Sequence, residues 1–174
     1  DWYETNLPDD MCVIGGLTGN FAENLSCLLC YETLCYKLYD EPDLVQAIAE
    51  RTLAMDSAVT RRLVQYDRVK VVWGSDDMGY SKGPLISPAA LRQYDLPGHT
   101  TLAGVAHEAG RPYILHSCGN LETIMDDLID DVRIDGKHSY EDLIVPPQEA
   151  KRRWGDRISI LGGIDMDFLC RQDE

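Results

Sequence analysis

The sequence predicts an α/β fold built on a parallel sheet covered by helices. Three observations carry that reading. Five short apolar runs, at residues 11–15, 69–74, 112–116, 134–138 and 158–162, punctuate the 174-residue chain. Each is followed by a polar or glycine-rich loop and then by the periodicity of an amphipathic helix. The connections are long enough for the crossover that parallel neighbours require. No linker or low-complexity tract interrupts the series, so one domain is expected over residues 1–174.

The first run leads into Gly15-Gly16-Leu17-Thr18-Gly19-Asn20. Its glycines form neither a GxGxxG pattern nor a lysine-bearing phosphate loop, so they carry no nucleotide-binding signature. Cys27-Leu28-Leu29-Cys30, with Cys35, has the spacing of a redox or metal pair, but it lacks a Gly or Pro turn and lies among leucines. It reads as helix packing. Asp40-Glu41-Pro42 then opens a helix over residues 42–66, with proline in the first turn and acids at the N-terminus. Val45, Ile48, Thr52, Met55, Val59 and Leu63 recur every three or four residues and should face the sheet.

The second run ends in Ser75-Asp76-Asp77-Met78-Gly79-Tyr80. Ser87-Pro88 opens a helical segment over residues 89–109, which Pro97 divides and Gly110 stops. The third run closes on His116-Ser117-Cys118-Gly119 and leads into helical residues 121–132. A histidine and a cysteine two apart at a strand end point the same way, because strand side chains alternate. Imidazole plus thiolate is a ligand pair that suits zinc. The alternative for the same two residues is a buried thiol and a histidine bonded to backbone. The fourth run ends in Lys137-His138-Ser139-Tyr140 and the fifth in Gly162-Gly163-Ile164-Asp165.

Parallel βα units place functional residues in the loops after the strands. Glu23, Asp76, Asp77, His116, Cys118 and His138 all stand there. Of the two aspartates, one is expected to cap a loop or helix while the other points outward, unless both serve the site. Asp165 is suited to helix capping or to catalysis. His99 and His107 fall within helices and are expected to face solvent or to cap.

With 44% hydrophobic residues and no apolar stretch near the ~20 residues a bilayer span needs, the chain reads as a soluble globular piece. A net charge of −14, from 30 acidic and 16 basic residues, argues against nucleic acid or an anionic membrane as partner. Six cysteines within apolar runs point to a reduced, cytosolic compartment rather than a disulfide framework. The chain begins at Asp1 and ends just past an apolar segment, which reads as an interior piece of a longer protein.

Gly74-Ser75-Asp76-Asp77-Met78-Gly79, Leu85-Ile86-Ser87-Pro88, Leu91-Arg92, Leu96-Pro97, His107-Glu108-Ala109-Gly110 and His116-Ser117-Cys118-Gly119-Asn120 occur in an order that resembles the uroporphyrinogen decarboxylase superfamily. Residues 23–45 and Ile160-Leu161-Gly162-Gly163-Ile164-Asp165 fit it too. The resemblance implies part of a (β/α)8 barrel of the uroporphyrinogen decarboxylase type, with five parallel βα units corresponding to about strands three to seven. It also implies barrel strands outside this sequence at both ends. Five strands alone would then leave sheet edges and apolar faces open, favouring aggregation or pairing with a second copy.

Two chemistries follow from the resemblance. True uroporphyrinogen decarboxylases remove carboxyl groups from a tetrapyrrole without a cofactor, and carry an Asp-Ser-Trp-Gly-like motif where this chain reads Asp76-Asp77-Met78-Gly79. The other branch resembles methylcobalamin:coenzyme M methyltransferases and corrinoid demethylases, in which the HxC binds zinc. His116 and Cys118 match that motif and would be the metal ligands, with a further cysteine from the loop after the last barrel strand, a position this sequence does not include. Asp76, Asp77, His138 and Glu23 would then be catalytic or substrate-contacting groups. The acceptor would be a small-molecule thiol, and a methylcorrinoid on a partner corrinoid protein would be the donor. The reading is therefore zinc-dependent methyl transfer, with tetrapyrrole decarboxylation and a non-catalytic binding module as alternatives.

Overall fold

The computed structural model describes residues 2–164 and 166–171. Its strands are β1 (Val13–Thr18), β2 (Val69–Ser75), β3 (Gly79–Tyr80), β4 (Gly83–Pro84), β5 (Tyr113–His116), β6 (Gly136–His138) and β7 (Ser159–Ile160). Strands β3 and β4 form a separate antiparallel hairpin, and the other five pair in parallel in the order β1-β2-β5-β6-β7. The helices are α1 (Trp2–Asn6), α2 (Phe21–Leu29), α3 (Tyr31–Asp40), α4 (Pro42–Leu63), α5 (Pro88–Tyr94), α6 (Leu96–Glu108), α7 (Pro147–Trp154) and α8 (Met166–Arg171). Helix α4 packs on β1 and β2, α6 on β2 and β5, and α7 on β7. Each of the five apolar runs supplies one strand of the sheet, all of them parallel.

The two faces of the sheet differ. Val72, Tyr113 and Leu115 are buried in the core beneath the helices with Phe21, Leu25, Leu34, Val45 and Leu102. On the alternate face Ile14 is 60% exposed, and Val71 and Trp73 are half-buried. Among the described residues no helix is long and apolar enough to cross a membrane.

Local chemistry explains the helix boundaries. Helix α4 carries Pro42 and Asp43 in its first turn and Arg61 and Arg62 in its last, matching the helix dipole at both ends. The Ser87 side chain accepts the Ala90 N–H at 3.2 Å and caps α5. Pro97 lies in the first turn of α6, so the segment divides at Asp95 as its sequence predicts. Gly110, at φ +67°, lies just past the end of α6.

Several expectations are corrected. Strand β1 runs on through Gly15 and Gly16 to Thr18, because a glycine permits close pairing: a Cβ on Gly16 would lie 2.1 Å from the Trp73 carbonyl oxygen. The buried face of α4 is turned by about one residue from the predicted one, leaving Met55 and Val59 exposed. Polar groups hold it there: Asp56 accepts the Gly19 N–H at 2.9 Å, and the Thr60 and Thr18 hydroxyls meet at 3.4 Å. Cys27 and Cys30 are exposed rather than packed, since the chain breaks between α2 and α3 at Cys30, whose φ is +62°. Residues 121–132 form a 3-10 turn (Glu122–Ile124) and a π-helical segment (Asp127–Val132) instead of one α-helix. Arg92 and Arg157 pair with Asp127, Asp126 and Asp130 across that segment.

Asp95, at the junction of α5 and α6, is fully buried, and among the described residues neither of its carboxylate oxygens has a hydrogen-bond partner. Burial, with Asp76 adding to it, raises its pKa well above the ordinary carboxylate value. The folded state therefore keeps a proton that the unfolded chain releases. Its contribution to stability is present at acid pH and is lost as pH rises through the raised pKa. Asp95→Asn is expected to remove this dependence, so that its thermal midpoint falls less than that of the wild type between about pH 5 and pH 8. Overlapping melting profiles across that range would exclude Asp95 as the source.

Candidate metal centre

His116 is the last residue of β5, Cys118 follows two positions later, and Asp77 lies two residues past the end of β2. Ser75 pairs with His116 in the sheet, so the loops carrying these groups leave it side by side. His116 Nε2 stands 3.3 Å from Asp77 Oδ1 and 3.6 Å from Cys118 Sγ. One nitrogen, one sulfur and one oxygen thus lie within 4.8 Å of one another. Around a tetrahedral zinc, with bonds of ~2.0–2.3 Å, such ligand atoms stand roughly 3.4–3.6 Å apart. The Asp77–His116 and His116–Cys118 separations fit the ion. The chemistry fits as well, since a carboxylate, an imidazole and a thiol that converge can each give a lone pair to a cation, the thiol losing its proton on binding.

The backbone around the three is tightly held. Asp77 Oδ1 accepts the Cys118 N–H at 2.8 Å, and Ser117 Oγ accepts the Met78 N–H at 3.2 Å. Gly119 N–H donates to Glu141 Oε1 at 3.0 Å, and Asn120 N–H to the Tyr80 carbonyl at 2.8 Å. Burial holds the Cys118 thiol above its ordinary pKa, and Asp77 and Glu141 add to that while a hydrogen bond to Ser139 opposes it. Without a cation the group stays a thiol; a bound cation reverses the preference.

His138 Nδ1 lies 2.6 Å from His116 Nδ1, so one of the two nitrogens carries the shared proton. Burial lowers the His138 pKa, with His116 and Lys137 adding to the effect. The tautomer of His116 that donates through Nδ1 to His138 has its Nε2 lone pair facing Asp77 and Cys118, which is the form a metal ligand needs. Trp73 stacks on His116 with ring centroids 6.5 Å apart and lies 5.4 Å from His138.

The remaining candidates are placed elsewhere. Asp76 is fully buried behind the triad, where its carboxylate accepts the Ala22 and Glu23 N–H groups at 2.9 and 3.0 Å and meets His99 Nε2 at 3.1 Å. The Glu23 carboxylate, on the first turn of α2, accepts from Asn20 Nδ2 at 2.8 Å and is not in the triad. Asp165 lies outside the described residues. His99, expected at the surface, is instead wholly buried, because Asp76 and the Tyr113 hydroxyl, 2.9 Å from Nδ1, satisfy both of its nitrogens. His107 is half-exposed and bonds Asp135 at 2.8 Å. Lys137, Ser139, Glu141 and Trp73, to which sequence reasoning assigned no role, surround the site; three of them flank His138, at the end of the fourth apolar run or just past it.

Residues 3–174 match the family described as uroporphyrinogen decarboxylase (URO-D). The chain belongs to the uroporphyrinogen decarboxylase family. No curated protein matches it. The family match covers all five βα units, so the sheet is part of a uroporphyrinogen decarboxylase-type (β/α)8 barrel. In such a barrel, loops at the C-terminal ends of the strands build the active site, and the triad of this family member lies in those loops.

Proposed function

We propose that Asp77, His116 and Cys118 hold zinc, and that the protein serves methyl transfer from a methylcorrinoid, carried by a partner protein, to a small-molecule thiol. The observation that supports this most is the convergence of three different ligand atoms within 4.8 Å on strand-end loops. Cofactor-free decarboxylation has no task for such a set. Zinc bound there would stabilise the acceptor thiolate over the thiol and so make it nucleophilic at neutral pH. The thiolate sulfur would take up the methyl group, and the bonding electron pair would remain with the corrinoid donor. The proton the thiol loses would pass to solvent, since His138 Nδ1 already faces His116 Nδ1 at 2.6 Å. Trp73 and Ile114 pair on the same sheet face and place apolar surface beside the site.

The test is a cobalt(II) titration of the full chain. A sulfur-to-cobalt charge-transfer band is expected that Cys118→Ser abolishes, and Asp77→Asn should weaken binding by about tenfold or more. No cobalt binding, or a band unchanged in Cys118→Ser, would overturn the metal reading.

A further inference from the structure

Lys137 lies in the middle of β6, paired with Leu115 on one side and Ile160 on the other, and is almost wholly buried. Its Nζ donates to the Ser117 carbonyl at 3.1 Å and the Ser139 carbonyl at 2.7 Å. The third side of the ammonium faces the Tyr140 ring, 4.5 Å from its centroid. Ser117 is the residue between His116 and Cys118, and Ser139 directly follows His138. One buried cation therefore ties the peptide that joins two candidate ligands to the peptide next to the histidine behind them.

Other contacts reinforce the same tie. Ser117 N–H donates to the His138 carbonyl at 2.6 Å, and Ser117 Oγ reaches back to the loop carrying Asp77. An aliphatic residue in this strand position would pack against the same core with no charge to bury. An ammonium placed there instead costs desolvation, which pulls the Lys137 pKa down to about 8. Its hydrogen bonds go to main-chain carbonyls and not to a carboxylate, so what they secure is loop position.

We propose that Lys137 is a positioning residue that fixes the loops after β5 and β6 against each other, and with them the separation of the His116–Cys118 pair from His138. The inference rests on the reading of that pair as metal ligands, but the position of the loops can be measured without metal.

Lys137→Met keeps the length of the side chain and removes its donors. In the metal-free full chain, hydrogen exchange at residues 117–119 and 138–141 should rise in the variant while the α4 and α6 amides keep their protection. With cobalt(II), the variant should bind about 10- to 100-fold more weakly, with a shifted ligand-field spectrum. Lys137→Gln, which can still donate to one of the carbonyls, should fall between the two and serves where the methionine variant does not fold. A merely structural lysine would lower the melting point and leave the spectrum of the folded, cobalt-bound protein as in the wild type, which would overturn the inference while the metal reading stood. If the wild type binds no cobalt, the metal reading fails and exchange alone decides: unchanged protection at residues 117–119 and 138–141 then overturns the positioning role, and a local rise upholds it.

Discussion

Replacing Asp76 with alanine is expected to destabilise the protein by about 3–5 kcal/mol, the usual cost of removing one member of a buried polar pair. Helix α2 has no cap from its own chain end, since Asn20 makes no side-chain capping bond. Asp76, 54 positions from Ala22 in sequence, does that work from the end of β2 by accepting the second and third N–H groups of the helix. Its charge also sits at the positive end of the helix dipole. The same carboxylate accepts from His99, whose other nitrogen faces the Tyr113 hydroxyl, so the variant strands a buried imidazole as well. Asp76→Asn keeps an acceptor and should lose only about 1–3 kcal/mol. Asp77→Ala, one residue away, removes a carboxylate that is 41% exposed and should change stability by about 1 kcal/mol or less while removing the candidate oxygen ligand. Urea denaturation of the three variants separates these roles. An Asp76→Ala protein within about 1 kcal/mol of the wild type would show that the buried network carries little stability.

This contrast between neighbours marks how far the sequence could be read. The two-residue spacing of His116 and Cys118 was legible, and the two do meet at 3.6 Å, although only His116 lies in the strand and the turn after β5 brings Cys118 to it. The order of βα units was legible because each apolar run and helical stripe is complete within a few residues. The division of labour between Asp76 and Asp77 was not legible, because it depends on Ala22, Glu23 and His99, which reach Asp76 only in the folded chain. His99 looked like a surface histidine for want of any local sign of Tyr113 behind it. Lys137 was passed over because a lysine in a short apolar run is usually an outward-facing residue, and only the Ser117 and Ser139 carbonyls reveal why it is buried. The stripe on α4 misled by about one residue because Asp56 and Thr60 are turned inward by the loop after β1, a preference that apolar periodicity does not register.

Gly119→Ala is expected to cost about 3 kcal/mol and to disorganise the candidate metal centre at the same time. Gly119 has φ +81°, where a side chain adds ~1–2 kcal/mol of strain. Space adds to conformation, since a Cβ there would stand 2.2 Å from the Gly79 carbonyl carbon and 2.4 Å from the Tyr80 nitrogen. Both are main-chain atoms of the β3–β4 hairpin and cannot rotate aside as a side chain would, so relief requires the hairpin to lift away from the Cys118 loop. The bond from Asn120 N–H to the Tyr80 carbonyl and the hold of Glu141 on the Gly119 N–H are then the first to loosen. Gly104→Ala, within α6 where an added Cβ meets nothing within 4 Å, is the matched control. It should stabilise the helix by about 0.5–1 kcal/mol, because alanine loses less backbone freedom on folding. Opposite shifts of the two melting points, with faster exchange at Tyr80 and residues 118–120 in Gly119→Ala alone, would establish that close main-chain approach at this glycine holds the hairpin to the site. A Gly119→Ala protein melting with the wild type would mean that the hairpin moves aside freely and does not constrain the Cys118 loop.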